Sequence, residues 1–130
     1  MKFLWIALVV VAALINLAPV LGSFSTERMT AAYGVSLDGA DLQILMRHRA
    51  VLFGIVGGLL AAAIFHTPIR AAAYVVGFLS MASFLVLAWR VGDYGPSIRR
   101  VMIVDAVGLT ALAGAVLVDQ IALDSTGPFE

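Results

Sequence analysis

Four apolar stretches of about twenty residues each fill most of this 130-residue chain. A run of roughly 18 or more apolar residues is long enough to cross a bilayer as a helix. The four stretches cover residues 3–21, 41–65, 69–89 and 98–118. They predict an all-α fold: an integral membrane four-helix bundle, in a single domain over residues 1–130.

The composition excludes several classes of function. Hydrophobic residues make up 62% of the chain and charged residues 12%, too few to give a soluble domain its polar shell. The formal net charge is zero, which predicts no nucleic-acid partner. There is no Cys, and two His residues alone give no zinc-ligand spacing, so we predict no metal and no cofactor.

The connections add one element and one tail. The first apolar run is longer than a usual signal core and lacks a clear cleavage site, so we predict a retained helix. Residues 22–40 form a long connection in which a short interfacial helix is predicted across Thr26–Tyr33, closed by Gly34. The polar segment from Asp119 to Glu130 is predicted to fray.

Arg and Lys near the span ends predict the orientation, because cytoplasmic loops carry an excess of them. Two cations, Lys2 and Arg70, lie on the side of the termini. Six cations lie on the side of the first and third connections: Arg28, Arg47, Arg49, Arg90, Arg99 and Arg100. We therefore expect that Arg-rich side to face the cytoplasm, with both termini outside.

Nearly all polar residues of the predicted spans fall toward the Arg-rich side. They are Asn16, Arg47, His48, Arg49, Ser80, Ser83 and Asp105, and the opposite half reads as almost purely apolar. An ionisable residue within a span costs about 2.5–3.5 kcal/mol and usually faces the bundle interior. Asp105 has no ionic partner three or four positions away in its own helix. Its partner must therefore come from another helix or from water, or the carboxyl group is protonated. Arg47 and Arg49 lie at matching depth, and we predict an interhelical network of these two residues with Asp105.

Structural roles for the same residues stay open. Arg47, His48 and Arg49 are also placed to snorkel to headgroups, and Asp105 to serve as a hydrogen-bond partner within the bundle. Asn16, Ser80 and Ser83 have the residue types that join helices in membranes. Trp5 and Trp89 lie near span ends, as interfacial aromatic residues do.

A row of small residues in the second span predicts close helix packing, either within the bundle or in a homodimer. It comprises Ala50, Gly54, Gly58 and Ala62. Arg47 lies about −20° from Gly54 on a helical wheel of about 100° per residue. The row is therefore predicted to turn Arg47 inward as well.

Three segments carry a family resemblance: residues 33–35, residues 45–54, which include Arg-His-Arg-Ala-Val-Leu-Phe-Gly, and residues 80–84. With them, roughly Thr26 to Leu117 resembles an uncharacterised family of small bacterial four-helix membrane proteins, distantly DoxX-like. The resemblance implies the fold and a bacterial inner (plasma) membrane location, and no established activity comes with it. Some members carry a phosphopantetheine adenylyltransferase label. His48 and His66 do not form the His-x-Gly-His motif of such enzymes, so the residues do not support it.

Three functions are compatible with this sequence, and the first is favoured. A binding or accessory module would hold a lipid or quinone, with Arg47, Arg49 and Arg28 facing an anionic or carbonyl head. Its candidate ligand-binding residues are Arg47, His48, Arg49, Asp105, Arg28, Asn16, Ser80 and Ser83. A membrane enzyme would use Asp105 or His48 as the acid–base group. A small transporter would use Asp105 in place of the first-helix acid of small multidrug exporters. The bilayer is the expected partner in each case, alone or with other subunits of a complex.

Overall fold

A computed structural model describes residues 1–126, which form helices and no strand. The five α-helices are α1 (Lys2–Gly22), α2 (Thr26–Tyr33), α3 (Ala40–Phe65), α4 (Arg70–Val91) and α5 (Pro96–Thr126). A single 3-10 turn, Thr67–Ile69, joins α3 to α4. The helices α1, α3, α4 and α5 are each long and apolar enough to cross a membrane. The predicted all-α four-helix membrane bundle is confirmed.

The four long helices form a ring in which each packs against two neighbours. α1 packs against α3 and α5, and α4 packs against the same two helices. α1 therefore lies diagonally opposite α4, and α3 lies diagonally opposite α5. The short α2 packs on α1 and α5 at the end that holds the α1–α3 and α4–α5 connections. We call this the Arg-rich end, and we call the other end, where α3 turns into α4, the hairpin end.

Large apolar side chains fill the bundle axis, and small residues bring the helices close. The largest fully buried side chains of the core include Trp5, Leu60, Met81 and Leu112. Gly57 is the tightest point between α1 and α3, because a Cβ there would lie 2.6 Å from the side chain of Leu17. Apolar side chains that face outward are exposed along all four long helices, as expected for a surface in contact with lipid.

The predicted short helix in the first connection is present with its predicted bounds. Ser25 begins it, and the Ser25 hydroxyl accepts a hydrogen bond from the backbone N–H of Arg28. Gly34 ends it with φ of 64°, a left-handed conformation that glycine adopts without steric cost. A Cβ on Gly34 would also lie 2.9 Å from the Ser97 hydroxyl at the start of α5. This glycine therefore both ends α2 and lets it approach α5.

The prediction of a fraying tail from Asp119 is wrong for the part of the tail that is described. α5 continues to Thr126, eight residues beyond the predicted end of the span, and only residues 127–130 lie outside the described structure. The helix continues because its packed face continues. Ala115, Asp119 and Ala122 are all buried, at the spacing of one helical stripe.

The row of small residues on α3 packs inward only at its beginning. Ala50 is buried and Gly54 is half-buried, whereas Gly58 and Ala62 are exposed. Positions four apart drift by about 40° per step around a helix, so a row of four of them leaves the packed face. The buried stripe passes through Gly57 instead. The prediction of one continuous packing ridge within the bundle is therefore wrong.

Candidate functional site

A cavity of about 320 Å³ lies at the Arg-rich end, between α1, α2, α3 and α5. Most of its wall is apolar, and its charged side chains are Arg49, Arg100 and Asp105. The full lining is Ile15, Ala18, Pro19, Gly22, Met29, Ala32, Tyr33, Arg49, Phe53, Arg100, Val101, Val104 and Asp105. An apolar cavity with a few inward-facing polar groups is the usual form of a small-molecule site.

Aromatic rings from three helices hold the Arg49 guanidinium. Its Cζ lies 4.9 Å from the ring centroids of Tyr33 on α2 and Phe53 on α3, and 5.0 Å from that of Phe84 on α4. Each such cation–π contact contributes about 0.5–2 kcal/mol, the larger value where the cation is desolvated. One guanidinium nitrogen, Nη2, is buried without a hydrogen-bond partner. The rings thus position the cation and leave one donor unused.

Asp105 contributes an unused acceptor to the same cavity. The residue is only 6% exposed, and its Oδ2 is buried without a hydrogen-bond partner. Arg49 and Asp105 line one cavity but form neither an ion pair nor a hydrogen bond with each other. The reason is geometric, because α3 and α5 are diagonal in the ring and the cavity lies between them. Both residues therefore line the cavity, but the predicted network of Arg47 and Arg49 with Asp105 is not formed, and that prediction is wrong.

The other cations predicted at this site point elsewhere. Arg47, His48 and Arg28 are exposed, and none of them lines the cavity. Successive residues of a helix point about 100° apart, so when Arg49 faces inward its two preceding neighbours face outward. The prediction that Arg47 faces inward is wrong.

Asn16 and Ser80 form a polar contact between α1 and α4, and Ser83 lies beside it on α4. The Asn16 side chain is buried and donates from Nδ2 to the carbonyl of Ala12 at 2.9 Å. The Ser80 hydroxyl donates to Asn16 Oδ1 at 3.4 Å, which joins α1 and α4 across the diagonal of the ring. The Ser83 hydroxyl donates to the Ser80 carbonyl at 3.0 Å, within its own helix. The interpretation of Asn16 and Ser80 as an interhelical link is confirmed.

A second cavity, of about 230 Å³, lies beside this contact between α3 and α4. Ser80, Ser83 and Phe84 line it together with Arg49 and Phe53. Arg49 and Phe53 are therefore shared by the two cavities, and the guanidinium lies at the boundary between them.

A second buried polar cluster lies at the hairpin end, where the sequence predicts an almost purely apolar half. Arg70 Nη1 lies 2.9 Å from Asp119 Oδ1 in an ion pair whose two side chains are each 6% exposed. The Tyr74 hydroxyl donates to Asp119 Oδ2 at 3.0 Å and accepts from Trp5 Nε1 at 2.7 Å. The Arg70 guanidinium also lies 4.3 Å from the centroid of the Trp5 ring. The prediction that polar groups share one half of the membrane is therefore wrong.

Three interpretations of the sequence concealed this cluster. Arg70 counts there as a boundary charge and Asp119 as the first residue of a tail, while Trp5 is taken as an interfacial aromatic. Trp5 is in fact 1% exposed. The sequence did contain a pattern that indicates this cluster. Arg70 and Tyr74 are four residues apart on one helical face, and Asp119 continues the packed stripe of α5.

No protein-family profile, curated protein or solved structure matches this chain. The resemblance to DoxX-like proteins therefore stays a prediction. Over the described residues, no three His, Cys, Asp or Glu side chains are close enough to hold a metal ion together.

Proposed function

We propose that this membrane protein is a binding module for an amphipathic small molecule, such as a lipid or a quinone, in the cavity under α2. The observation that carries the proposal is that Arg49 and Asp105, which line one cavity, each hold a buried polar atom without a hydrogen-bond partner, Nη2 and Oδ2. A buried polar atom without a partner costs about 1–3 kcal/mol, so such atoms call for an explanation. A ligand that bonds both atoms supplies one.

The cavity wall supports an amphipathic ligand over a purely polar one. Ile15, Phe53 and Val104 are among the many apolar side chains that would contact a tail or a ring. The Arg49 and Asp105 side chains would bond the head. This arrangement retains Arg49 and Asp105 from the set predicted by sequence and leaves out Arg28, Arg47 and His48, which are exposed.

The enzyme hypothesis has less support. Its two acid–base candidates, Asp105 and His48, do not share a site, because His48 is exposed on the outer face of α3. Acid–base chemistry in the cavity would therefore depend on Asp105 alone. A homodimer, a larger membrane complex and a bacterial inner membrane location remain part of the proposal, on the grounds of the sequence.

Two glycines give a matched test. Gly22 lines the cavity and Gly58 lies on the outer face of α3, and a Cβ added at either meets no atom within 4 Å. Gly22→Leu would place a side chain where the ligand binds, whereas Gly58→Leu would place the same side chain in lipid. Native mass spectrometry of the protein released from membranes should show a retained amphipathic molecule in the wild type and in Gly58→Leu, and its loss in Gly22→Leu. A wild-type protein that carries no such molecule, and whose Tm does not rise with added lipids or quinones, would contradict the proposal.

A further inference from the structure

One of the two unpartnered atoms is a hydrogen-bond donor and the other is an acceptor, and this difference restricts the head of the ligand. Arg49 Nη2 can only donate, so it requires an acceptor oxygen. Asp105 Oδ2, as a carboxylate oxygen, accepts, so it requires an O–H or N–H donor. A head that bonds both must carry an acceptor and a donor close together.

The charges of the wall restrict the head further. Arg49 brings one formal positive charge to the cavity, and the buried Asp105 brings one negative charge. Arg100 also lines the cavity, but it is exposed, so solvent and lipid headgroups screen its charge. The buried part of the wall is therefore balanced without a ligand. An anionic head would face Asp105 and a cationic head would face Arg49, and repulsion between like charges is strong where water is excluded.

From these two restrictions we infer that the cavity selects an uncharged, hydroxyl-bearing head, in which one oxygen accepts from Arg49 and one hydroxyl donates to Asp105. The glycerol head of a monoacylglycerol and the ring of a quinol both have this chemistry. A fully oxidised quinone has acceptors alone, and a fatty acid or a phospholipid phosphate brings a negative charge. The inference rests on the proposed function and adds the class of head to it.

The aromatic contacts of Arg49 explain why the donor stays in place without a ligand. Rings on α2, α3 and α4 surround the guanidinium, so its position does not depend on a bond to the head. A site held in advance in this way saves the free energy of ordering a long side chain when the ligand binds. Tyr33 also lines the cavity, which places α2 against the same head.

Probes with one tail and different heads test the inference. Monooleoylglycerol, oleate and oleylamine share the oleyl chain and carry an uncharged, an anionic and a cationic head. Binding to delipidated protein in nanodiscs, followed by native mass spectrometry, should favour monooleoylglycerol by about tenfold or more over the other two. A second pair of probes tests whether the head is a quinol. Decylubiquinol should bind more tightly than decylubiquinone, because only the quinol can donate a hydrogen bond to Asp105.

The Asp105→Asn substitution should change the binding of an uncharged head and of an anionic head in opposite directions. It removes the negative charge while the shape is kept. Monooleoylglycerol should bind several-fold more weakly, because a bond to a charged acceptor becomes a bond to a neutral one. Oleate should bind more tightly to Asp105→Asn than to the wild type, because the repulsion from the Asp105 carboxylate is removed. Asp93→Asn is the matched control, since it removes one exposed acid at the same end, outside the cavity lining.

The outcomes separate this inference from the proposed function. Oleate or oleylamine binding to the wild type as tightly as monooleoylglycerol would overturn the class of head and leave the binding module standing. Failure of every probe, together with no retained molecule in the wild type, would overturn both. Monooleoylglycerol weakened by Asp105→Asn and unchanged in Asp93→Asn is the result that the inference expects.

Discussion

The two ends of the bundle each bury a carboxylate of α5, and the two carboxylates have different surroundings. Asp119 at the hairpin end is 4% exposed, forms an ion pair with Arg70 and accepts a hydrogen bond from Tyr74. Asp105 at the Arg-rich end is 6% exposed, and its Oδ2 has no partner. Burial is thus nearly the same at the two sites, and the completeness of the hydrogen bonding is what distinguishes them.

That difference separates a structural cluster from a candidate binding site. At the hairpin end, residues from α1, α4 and α5 bond one another around Asp119, so the bonding there joins three helices. At the Arg-rich end a cavity separates the cation from the acid, and the rings that hold Arg49 take the place of an acid partner. Loss of a side chain should therefore affect stability at one end and ligand binding at the other.

The largest expected loss of stability comes from removal of the Asp119 carboxylate, and removal of the Asp105 carboxylate is the comparison. Asp119→Ala should lower the free energy of unfolding by about 3–5 kcal/mol, because it leaves the buried Arg70 charge without its ion pair. Asp105→Ala should change the free energy by less than about 1 kcal/mol, or raise it, because no hydrogen bond is lost with it. Equilibrium unfolding in mixed micelles measures both. Equal losses for the two variants would show that the ends do not differ as the structure implies.

An intermediate effect is expected from the hydroxyls of two tyrosines. Tyr74→Phe should lower the free energy of unfolding by about 1–3 kcal/mol. The Tyr74 hydroxyl links Trp5 to Asp119, and its loss leaves a buried acceptor, Asp119 Oδ2, without that hydrogen bond. Tyr33→Phe keeps the ring over Arg49 and should leave stability nearly unchanged. The same unfolding assay applies, and a Tyr33→Phe loss as large as that of Tyr74→Phe would contradict the comparison.

The smallest effect should come from the polar contact between α1 and α4. Ser80→Ala removes the bond from α4 to Asn16 on α1, and interhelical hydrogen bonds in membranes average about 0.6 kcal/mol. Ser83→Ala removes only a bond within α4 and should be close to neutral. A double-mutant cycle with Asn16→Ala isolates the Ser80 contribution. If Ser83→Ala were coupled to Asn16→Ala as strongly as Ser80→Ala is, the hydrogen bond from Ser80 to Asn16 would not be the source of the coupling.

Much of the fold could be predicted from the sequence, because hydropathy determines which segments cross a membrane. The spans follow from apolar length, and the end of α2 follows from Gly34. The convergence of Arg49 and Asp105 on one end also follows, since depth can be counted at about 1.5 Å per residue. Depth does not give direction around the helix. For this reason the sequence could not separate Arg49 from Arg47.

The hairpin-end cluster was harder to predict for a different physical reason. A polar residue near a span end is read as lying in water unless something shows that the helix continues. Asp119 is buried because α5 continues beyond the apolar stretch, and α5 continues because Ala122 packs on the bundle. Both facts depend on the neighbouring helices, and hydropathy along a single chain does not contain them.

The unbroken length of α5 gives the two ends a mechanical relation. Asp105 and Asp119 are fourteen positions apart on one helix, about 21 Å along the axis and about 40° apart around it. A rotation of α5 about its axis would therefore move both carboxylates together, and the ion pair between Asp119 and Arg70 at the hairpin end opposes such a rotation.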